Sequence, residues 1–201
     1  MLFRSSATAS VGDTIDTTTV NLSASSAAEG AGVNYSFTAT LSAASQGVTT
    51  VTTDQGVITI ADGATTGTLT IASGNTADVY VDPSSLTATI GSVSGGNFES
   101  LVIGTASATA SVSDTIDIST VSLSASSAAE GAGVNYSFTA TLSAAAQTDV
   151  TVVTDQGDIT ILAGATTGTL TIASGNTADV YVEPSSLTAT IGSVFGGNFE
   201  S

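Results

Sequence analysis

The sequence predicts an all-β chain of two tandem immunoglobulin-like β-sandwich domains, and three observations lead to that prediction. Apolar and polar residues alternate with a period of two, as in residues 33–41, where Val33, Phe37 and Leu41 share one face. Turn signals such as Asp-Gln-Gly, Ala-Asp-Gly and Gly-Gly-Asn separate short segments of this kind. The 201 residues also form two similar halves, each about as long as one sandwich domain.

The alternation predicts seven strands in the first repeat. In the first of them Val20 and Leu22 share a face, and in the sixth Leu86, Ala88 and Ile90 do. The expected strands are A (18–24), B (33–41), C (48–53), C′ (57–60), E (67–71), F (84–93) and G (100–112). Because the chain has neither Cys nor Trp, it lacks the disulfide and the packed tryptophan of antibody domains. Only the sandwich architecture is therefore implied.

An internal repeat with a period of 101 residues sets the domain organisation. Residues 7–100 align without a gap to residues 108–201, and 80 of the 94 aligned positions are identical. We expect an N-terminal strand or linker over residues 1–16, a first repeat over 17–115 and a second over 116–201. Identity this high favours a recent duplication, so we expect the chain to be part of a longer array.

The composition excludes most catalytic chemistry. Arg4 is the only basic side chain, and the chain contains no His and no Cys. It therefore cannot form a Ser–His–Asp triad, a thiol nucleophile, an imidazole zinc site, a Schiff-base lysine or a disulfide. Paired carboxylates could serve a glycosidase, but there is no Trp and there are few aromatic residues to line a sugar cleft. We predict that the protein is not an enzyme.

The charge limits the partners in the same way. A formal net charge of −16 would repel nucleic acid and anionic membranes. No segment of the sequence is long and apolar enough to cross a bilayer. We therefore expect neither nucleic-acid binding nor membrane insertion, and we expect contacts with neighbouring repeats of the same chain. One cation cannot neutralise 17 acids, which is the first indication of bound metal.

Acidic residues gather in the loops at the two ends of the predicted sandwich. In an up-and-down trace, one end collects Glu29, Asp54, Asp78, Asp82 and the exit of strand G into Asp114 and Asp117. The other end collects Asn97, Glu99 and the entering segment with Asp13 and Asp16. If domains follow head to tail, unlike ends meet and form an all-oxygen cluster at the junction. The predicted metal ligands, with their counterparts in the second repeat, are Asp13, Asp16, Glu29, Asp78, Asp82, Glu99, Asp114, Asp117, Glu130, Asp179, Glu183 and Glu200.

Calcium is the metal that suits such a cluster. It takes six to eight hard oxygen ligands in irregular geometry, whereas magnesium needs a tighter octahedron and zinc prefers nitrogen or sulfur. We expect a junction that is rigid with Ca2+ and hinged without it. The alternative is structural: the acids of Asp54 and Asp62 serve turns, and Glu29 and Glu130 serve solubility. Asp62, Asp149 and Asp158 occur in one copy only, which argues against a shared ligand role.

Several motifs resemble one protein family. Residues 13–25 (DTIDTTTVNLSAS) and 78–90 (DVYVDPSSLTATI), with AAEGAGVNYSFTATLSA and GGNFES, are similar to the extender repeats of giant bacterial RTX adhesins, large biofilm adhesion proteins. The AEG…TATLSA stretch is also somewhat similar to Calx-β domains. The first resemblance implies immunoglobulin-like sandwiches in tandem with calcium at their junctions. It supports metal roles for Asp13, Asp16, Asp114, Asp117, Glu29, Glu130, Asp78 and Asp179.

The resemblance implies a calcium-rigidified extender of a secreted bacterial surface adhesin. Such a spacer projects a ligand-binding region away from the cell in adhesion and biofilm formation, and its place is extracellular, at the bacterial cell surface. Two alternatives stay open. One is an adhesive module that binds a ligand or carbohydrate through its loops. The two nearly identical copies favour a spacer over such a module. The other is a subunit of a strand-exchanged filament.

The filament alternative rests on the last strand of the second repeat. If strand G covers 100–112, the second repeat ends at Ser201 before its own strand G. Residues 7–13 (ATASVGD) match residues 108–114 (ATASVSD), the end of that strand. The segment could therefore complete the second repeat of another molecule by strand addition, in head-to-tail self-association. Alternatively, the chain boundary is out of phase with the repeat and the segment is a first strand of its own domain.

Overall fold

The computed structural model describes residues 4, 6–181 and 185–200, which form two compact units. Unit 1 comprises Met1–Thr76 and Pro83–Ser113, and unit 2 comprises Ala77–Asp82 and Asp114–Ser201. The described residues contain β-strands and no helix, which confirms the all-β class. It follows that they include no helix able to span a membrane. The immunoglobulin-like arrangement stays a prediction.

Unit 1 is built on one folded sheet of eight strands. The strands are β1 (Thr17–Ala28), β2 (Asn34–Leu41), β3 (Thr49–Thr53), β4 (Gly56–Ile60), β5 (Thr66–Ala72), β6 (Ser84–Gly95), β7 (Ser100–Ile103) and β8 (Ser107–Ser113). Their order is β4-β3-β6-β8-β1-β2-β5, and β7 pairs with β1. Most neighbours are antiparallel, but β1 runs parallel to both β7 and β8.

Strand β8 connects the two halves of this sheet. It pairs antiparallel with the first half of β6 and parallel with the end of β1. The sheet folds so that β2 lies against β4, β6 and β8 and a single core forms between the halves. Alternation supplies that core: Phe37, Ile58 and Ala110 are completely buried, while their polar neighbours along each strand face outward.

The expected single strand G is wrong. The segment forms two strands, β7 and β8, separated by Gly104, Thr105 and Ala106. The reason is a side chain: Asn21 on β1 accepts the N–H of Thr105 through Oδ1 at 2.7 Å, while Thr105 accepts the N–H of Leu22 at 2.9 Å. These bonds take the chain out of the ladder for three residues.

Unit 2 repeats most of this pattern in two separate sheets. Its strands are β9 (Val121–Ser126), β10 (Asn135–Leu142), β11 (Val150–Thr154), β12 (Gly157–Ile161), β13 (Thr167–Ala173) and β14 (Ile191–Gly196). The sheets have the orders β13-β10-β9 and β12-β11-β14, and a core that includes Phe138, Val152 and Ile161 lies between them. One period after β8 would be residues 208–214, which lie past the 201 residues of the sequence.

The N-terminal segment is not a strand of unit 1. Residues 6–16 form no ladder, and β1 begins at Thr17. Residues 6–16 are therefore not the first strand of their own domain. The reason is visible in unit 1, where β8 already occupies the place between β1 and β6 that a copy of this sequence would take.

Candidate metal site

A glycine-rich loop after β6 positions the first acidic side chain. The N–H of Gly96 donates to the carbonyl of Val48 at 3.1 Å, and its own carbonyl accepts the N–H of Gln46 at 3.0 Å. A Cβ at Gly95 would overlap the carbonyl of Val48, so this approach requires glycine. The loop leaves Glu99 beside the entering chain, where its Oε2 accepts the N–H of Asp16 at 2.6 Å.

Unit 2 repeats this arrangement after β14. The carboxylate of Glu200 accepts the N–H of Asp117, as Glu99 accepts that of Asp16. Asn198 holds the turn in the left-handed region with φ of 58°, as Asn97 does with φ of 54°. Each Asp-Thr-Ile-Asp segment is thus fastened to the Gly-Gly-Asn-Phe-Glu loop of its own unit.

The two copies of this arrangement differ in burial. Glu99 is exposed, whereas Glu200 is only 8% exposed. The segment Ala77–Asp82 accounts for part of the difference, because Glu200 donates its N–H to the carbonyl of Val79 at 3.1 Å. We call Ala77–Asp82 the bridging segment, since it lies between β5 and β6 in the chain but belongs to unit 2.

An aromatic pair holds the bridging segment in unit 2. The ring of Tyr80 stacks on Phe199 with centroids 5.6 Å apart, and its hydroxyl donates to the carbonyl of Ala145. The N–H of Val81 donates to the carbonyl of Asn198 at 3.2 Å. The loop that carries Glu200 is therefore covered on one side by an aromatic ring and a short ladder.

The candidate metal site of unit 2 is built on the carboxylates of Asp114 and Glu200, which we call the Asp114 cluster, and Asp117 is joined to it through its N–H. One carboxylate oxygen of Asp114 and one of Glu200 lie within 4.8 Å of each other. Two charges at that separation repel by about 3–4 kcal/mol at an effective dielectric constant near 20. Oδ1 of Asp114 is buried and accepts no hydrogen bond from the described residues. These oxygens could hold a metal ion, and a hard cation would remove both costs.

In unit 1, Asp13, Asp16 and Glu99 form the corresponding group but are all exposed. Glu29 lies directly after β1, is 8% exposed and has a buried carboxylate oxygen. Its N–H donates to the carbonyl of Ser113 at 2.9 Å, so the main chain at Glu29 continues the pairing of β1 with β8.

The remaining predicted ligands occupy ordinary loop positions. Asp78 and Asp179 each accept, through Oδ1, the N–H of the tyrosine two residues later, at 2.8 Å. Asp82 and Glu130 are exposed. Glu183 lies outside the described residues.

Other acids bind backbone groups rather than one another. Asp54 accepts the N–H of Thr89 at 2.7 Å, and Asp155 accepts that of Thr190 at 2.8 Å, in both cases beside a register shift in the ladder. Asp62 accepts the N–H of Gly47 at 2.7 Å. Asp54 and Asp62 therefore each bind the main chain of a distant segment.

Sequence reasoning missed the contact between Tyr80 and Phe199. The only signal was that both residues recur in the repeat, as Tyr181 and Phe98. Nothing in the alternation indicates that the tyrosine of one copy stacks on the phenylalanine of the next.

Comparison with known proteins identifies a family. The model of the LapA domain matches the chain twice, over residues 16–115 and 117–201. No curated protein matches the chain. Among solved structures, a two-domain protein of unknown function from Bacteroides fragilis covers 80% of this chain and 91% of its own, at 10% identity and a TM-score of 0.30. A similarity that weak carries no argument.

Proposed function

The chain belongs to the LapA-domain family, and from this premise we propose that it is a calcium-rigidified extender of a secreted bacterial surface adhesin. The family is associated with a large adhesin of biofilm formation, which indicates a surface-associated protein in an adhesion context. The proposal adds the role within the adhesin: a non-catalytic spacer that projects a ligand-binding region away from the cell.

The near-identity of the two copies supports a spacer. The bridging segment and its counterpart differ only at Asp82, which is Glu183 in the second copy, and the Gly-Gly-Asn-Phe-Glu loops are identical. A binding site for one ligand needs a single specialised set of loops, whereas a spacer gains length from each unchanged copy. The same repetition makes neighbouring repeats the expected partners.

The Asp114 cluster is the observation that supports calcium binding in this proposal. Residues 114–117 lead from β8 into β9, and Glu200 follows β14. A cation shared by Asp114 and Glu200 would hold this connecting segment against the last loop of unit 2. The donors are all oxygen, which suits Ca2+ and excludes a zinc site with nitrogen or sulfur ligands.

The proposal predicts a calcium-specific gain in stability that depends on Asp114. A cation that binds only the folded chain raises the free energy of unfolding by about 2.7 kcal/mol at a hundredfold excess over its Kd. We expect a higher Tm in millimolar CaCl2 than in EDTA, a smaller effect of MgCl2, and loss of most of the increase in Asp114→Asn.

Asp158→Asn is the matched control, because Asp158 is exposed on β12 and the first copy has Val57 there. It removes the same charge and should keep the full calcium effect. Identical melts of the parent chain in CaCl2 and EDTA would contradict the calcium site. So would an equal loss in both variants, since it would reduce the effect to general screening of charge.

The extender role has its own measurement. Small-angle scattering should give one narrow distribution of interatomic distances in CaCl2 and a broader one in EDTA. Distributions that coincide although calcium binds would leave a metal site without the stiffening role.

A further inference from the structure

We propose that unit 1 has a load-bearing function: its first strand, β1, and its last strands, β7 and β8, form a clamp that resists tension between the two ends of the unit. We call these three strands, with the hydrogen bonds between them, the tension clamp. The inference rests on hydrogen bonds within unit 1 and does not depend on the proposed calcium site.

The first and last strands of unit 1 run in the same direction. Residues 17–20 of β1 pair parallel with β7, and residues 26–28 pair parallel with residues 111–113 of β8. The chain therefore enters the clamp beside β7 and leaves it at the other end of β1, where β8 ends. Because β1 has 12 residues, the entry and the exit lie about 40 Å apart along it.

This common direction decides how tension acts on the hydrogen bonds. The bonds run across the strands, whereas tension between entry and exit acts along them, so the bonds of the clamp are sheared together. If the first and last strands were antiparallel, the chain would enter and leave at the same end. Tension would then break the bonds one after another. The parallel order therefore favours resistance to force.

The side chain of Asn21 closes the clamp between its two ladders. Its Oδ1 accepts the N–H of Thr105 at 2.7 Å, and the carbonyl of Thr105 accepts the N–H of Leu22 at 2.9 Å. The N–H of Gly104 donates to the carbonyl of Val20 at 2.9 Å. These bonds lie where β7 has ended and β8 has not begun, so β1 is bonded to the last strands at its start, its middle and its end.

Glycine is required beside this side chain. A Cβ at Gly104 would lie only 2.3 Å from Oδ1 of Asn21, so a larger residue there would displace the amide that binds Thr105. The second copy has Ser122 in the place of Asn21, within strand β9. Asn21→Ser is therefore a substitution that a strand of this sequence already accommodates.

The strands at the exit of the clamp are also held on their other edges. Residues 20–25 of β1 pair with β2, and residues 107–112 of β8 pair with β6. On the inner face, Leu22 of β1 and Val112 of β8 are buried in the core of unit 1. The core keeps water away from one face of the ladder, and neither strand can leave the sheet without breaking a second one.

The test is single-molecule force spectroscopy of the whole chain in EDTA, so that calcium does not contribute. Because the chain contains no Cys, two introduced cysteines give unique points of attachment. Ile15→Cys with Ile116→Cys places them at the entry and the exit of unit 1, on side chains that are 79% and 72% exposed. Ala31→Cys with Ile116→Cys is the control pair, because both residues follow the end at which β1 and β8 stop.

Both pairs load unit 1 and leave residues 117–201 outside the stretched part of the chain. At one constant force, we expect unit 1 to stay folded at least about tenfold longer with the first pair, because a factor of ten corresponds to about two more hydrogen bonds broken together. Unchanged circular dichroism would show that both double variants fold. Equal lifetimes, or a longer lifetime with the control pair, would overturn the proposal.

A second measurement tests the role of Asn21 in the clamp. Added to the first pair of cysteines, Asn21→Ser should shorten the lifetime under force by about fivefold, the factor that corresponds to one hydrogen bond. Asn34→Ser makes the same change outside the clamp, because the exposed Asn34 donates to the carbonyl of Gly32 at 3.0 Å. It should keep the lifetime of the parent chain. An equal loss in both variants would contradict the role of Asn21.

Discussion

The same pair of loops is joined by a carboxylate in both units, but the carboxylate comes from a different loop in each. In unit 1 the carboxylate of Asp62 accepts the N–H of Gly47 at 2.7 Å. In unit 2 position 163 is Ala, and Asp149 accepts its N–H at 2.8 Å from the opposite side of the loop. Residues that look like unrelated differences between the copies therefore compensate for one another.

The exchange predicts the effect of removing either acid. Asp62→Ala should lower the free energy of unfolding of unit 1 by about 0.5–1 kcal/mol, because an exposed charge-assisted hydrogen bond to the main chain is lost. Asp149→Ala should do the same in unit 2. Urea denaturation measures both, with Asp158→Ala as a variant that loses an acid without a loop bond. Equal effects of all three would show that only net charge matters.

At the scale of elements, the bridging segment belongs to unit 2, although the residues before and after it in the chain belong to unit 1. Its tyrosine uses both of its chemical groups in unit 2: the ring stacks on Phe199 and the hydroxyl bonds to Ala145. The same segment in the second copy carries Tyr181, which is 71% exposed.

This pair gives a matched test of docking. Tyr80→Phe keeps the stacked ring and removes the hydroxyl bond, so we expect a loss of about 1 kcal/mol in the opening free energy of the segment. Tyr181→Phe should have no effect. Hydrogen exchange at the amides of Val81 and Glu200, which bond to Asn198 and Val79, measures the opening. Equal exchange in the two variants would contradict a role for the hydroxyl.

Most strands follow from alternation, and the exceptions have identifiable causes. The predicted strand of residues 84–93 is β6 (Ser84–Gly95), and 33–41 contains β2 (Asn34–Leu41). Strand G was predicted as one piece, because alternation cannot show that the side chain of Asn21 binds the N–H of Thr105. The alternation of apolar and polar residues predicts each strand by itself. It cannot predict that a side chain of one strand interrupts the hydrogen bonding of the strand beside it.

The candidate site was predictable only in part for the same reason. Tracing strands up and down places Glu99 beside the segment with Asp16, and the structure joins them by a hydrogen bond. The trace says nothing about burial, so it cannot separate exposed Glu99 from buried Glu200. Part of that difference comes from the bridging segment, whose Val79 accepts the N–H of Glu200 from more than one period away.

At the scale of the whole molecule, nearly identical sequences give two units with unequal cores. Leu22, Tyr35 and Ala88 are buried in unit 1, whereas their counterparts in unit 2 are partly exposed. Hydrophobic stabilisation scales with the apolar area removed from water, at about 25 cal/mol per Å2. In the 201-residue chain, unit 2 should therefore be the less stable of the two.

Hydrogen exchange can test this difference in stability between the two units. Peptides covering β3 with β4 and β11 with β12 differ in sequence and are separable by mass. We expect the second to exchange at least about tenfold faster, since 1.4 kcal/mol of opening free energy is a factor of ten. Equal rates would mean that the uncovered residues contribute little to the stability of unit 2.

Because of the bridging segment, the duplicated stretch of sequence and the folded unit do not have the same boundaries. The sequence is copied with a period of 101 residues, but Tyr80 and Phe199 are 119 residues apart. Inserting or deleting whole periods keeps the spacing between a tyrosine equivalent to Tyr80 and the phenylalanine equivalent to Phe199. An array can therefore change its length without creating a new kind of contact. A single period excised by itself contains Tyr80 and Phe98, which are not each other's partners. The smallest piece of this sequence that can make every contact is longer than the piece that is duplicated.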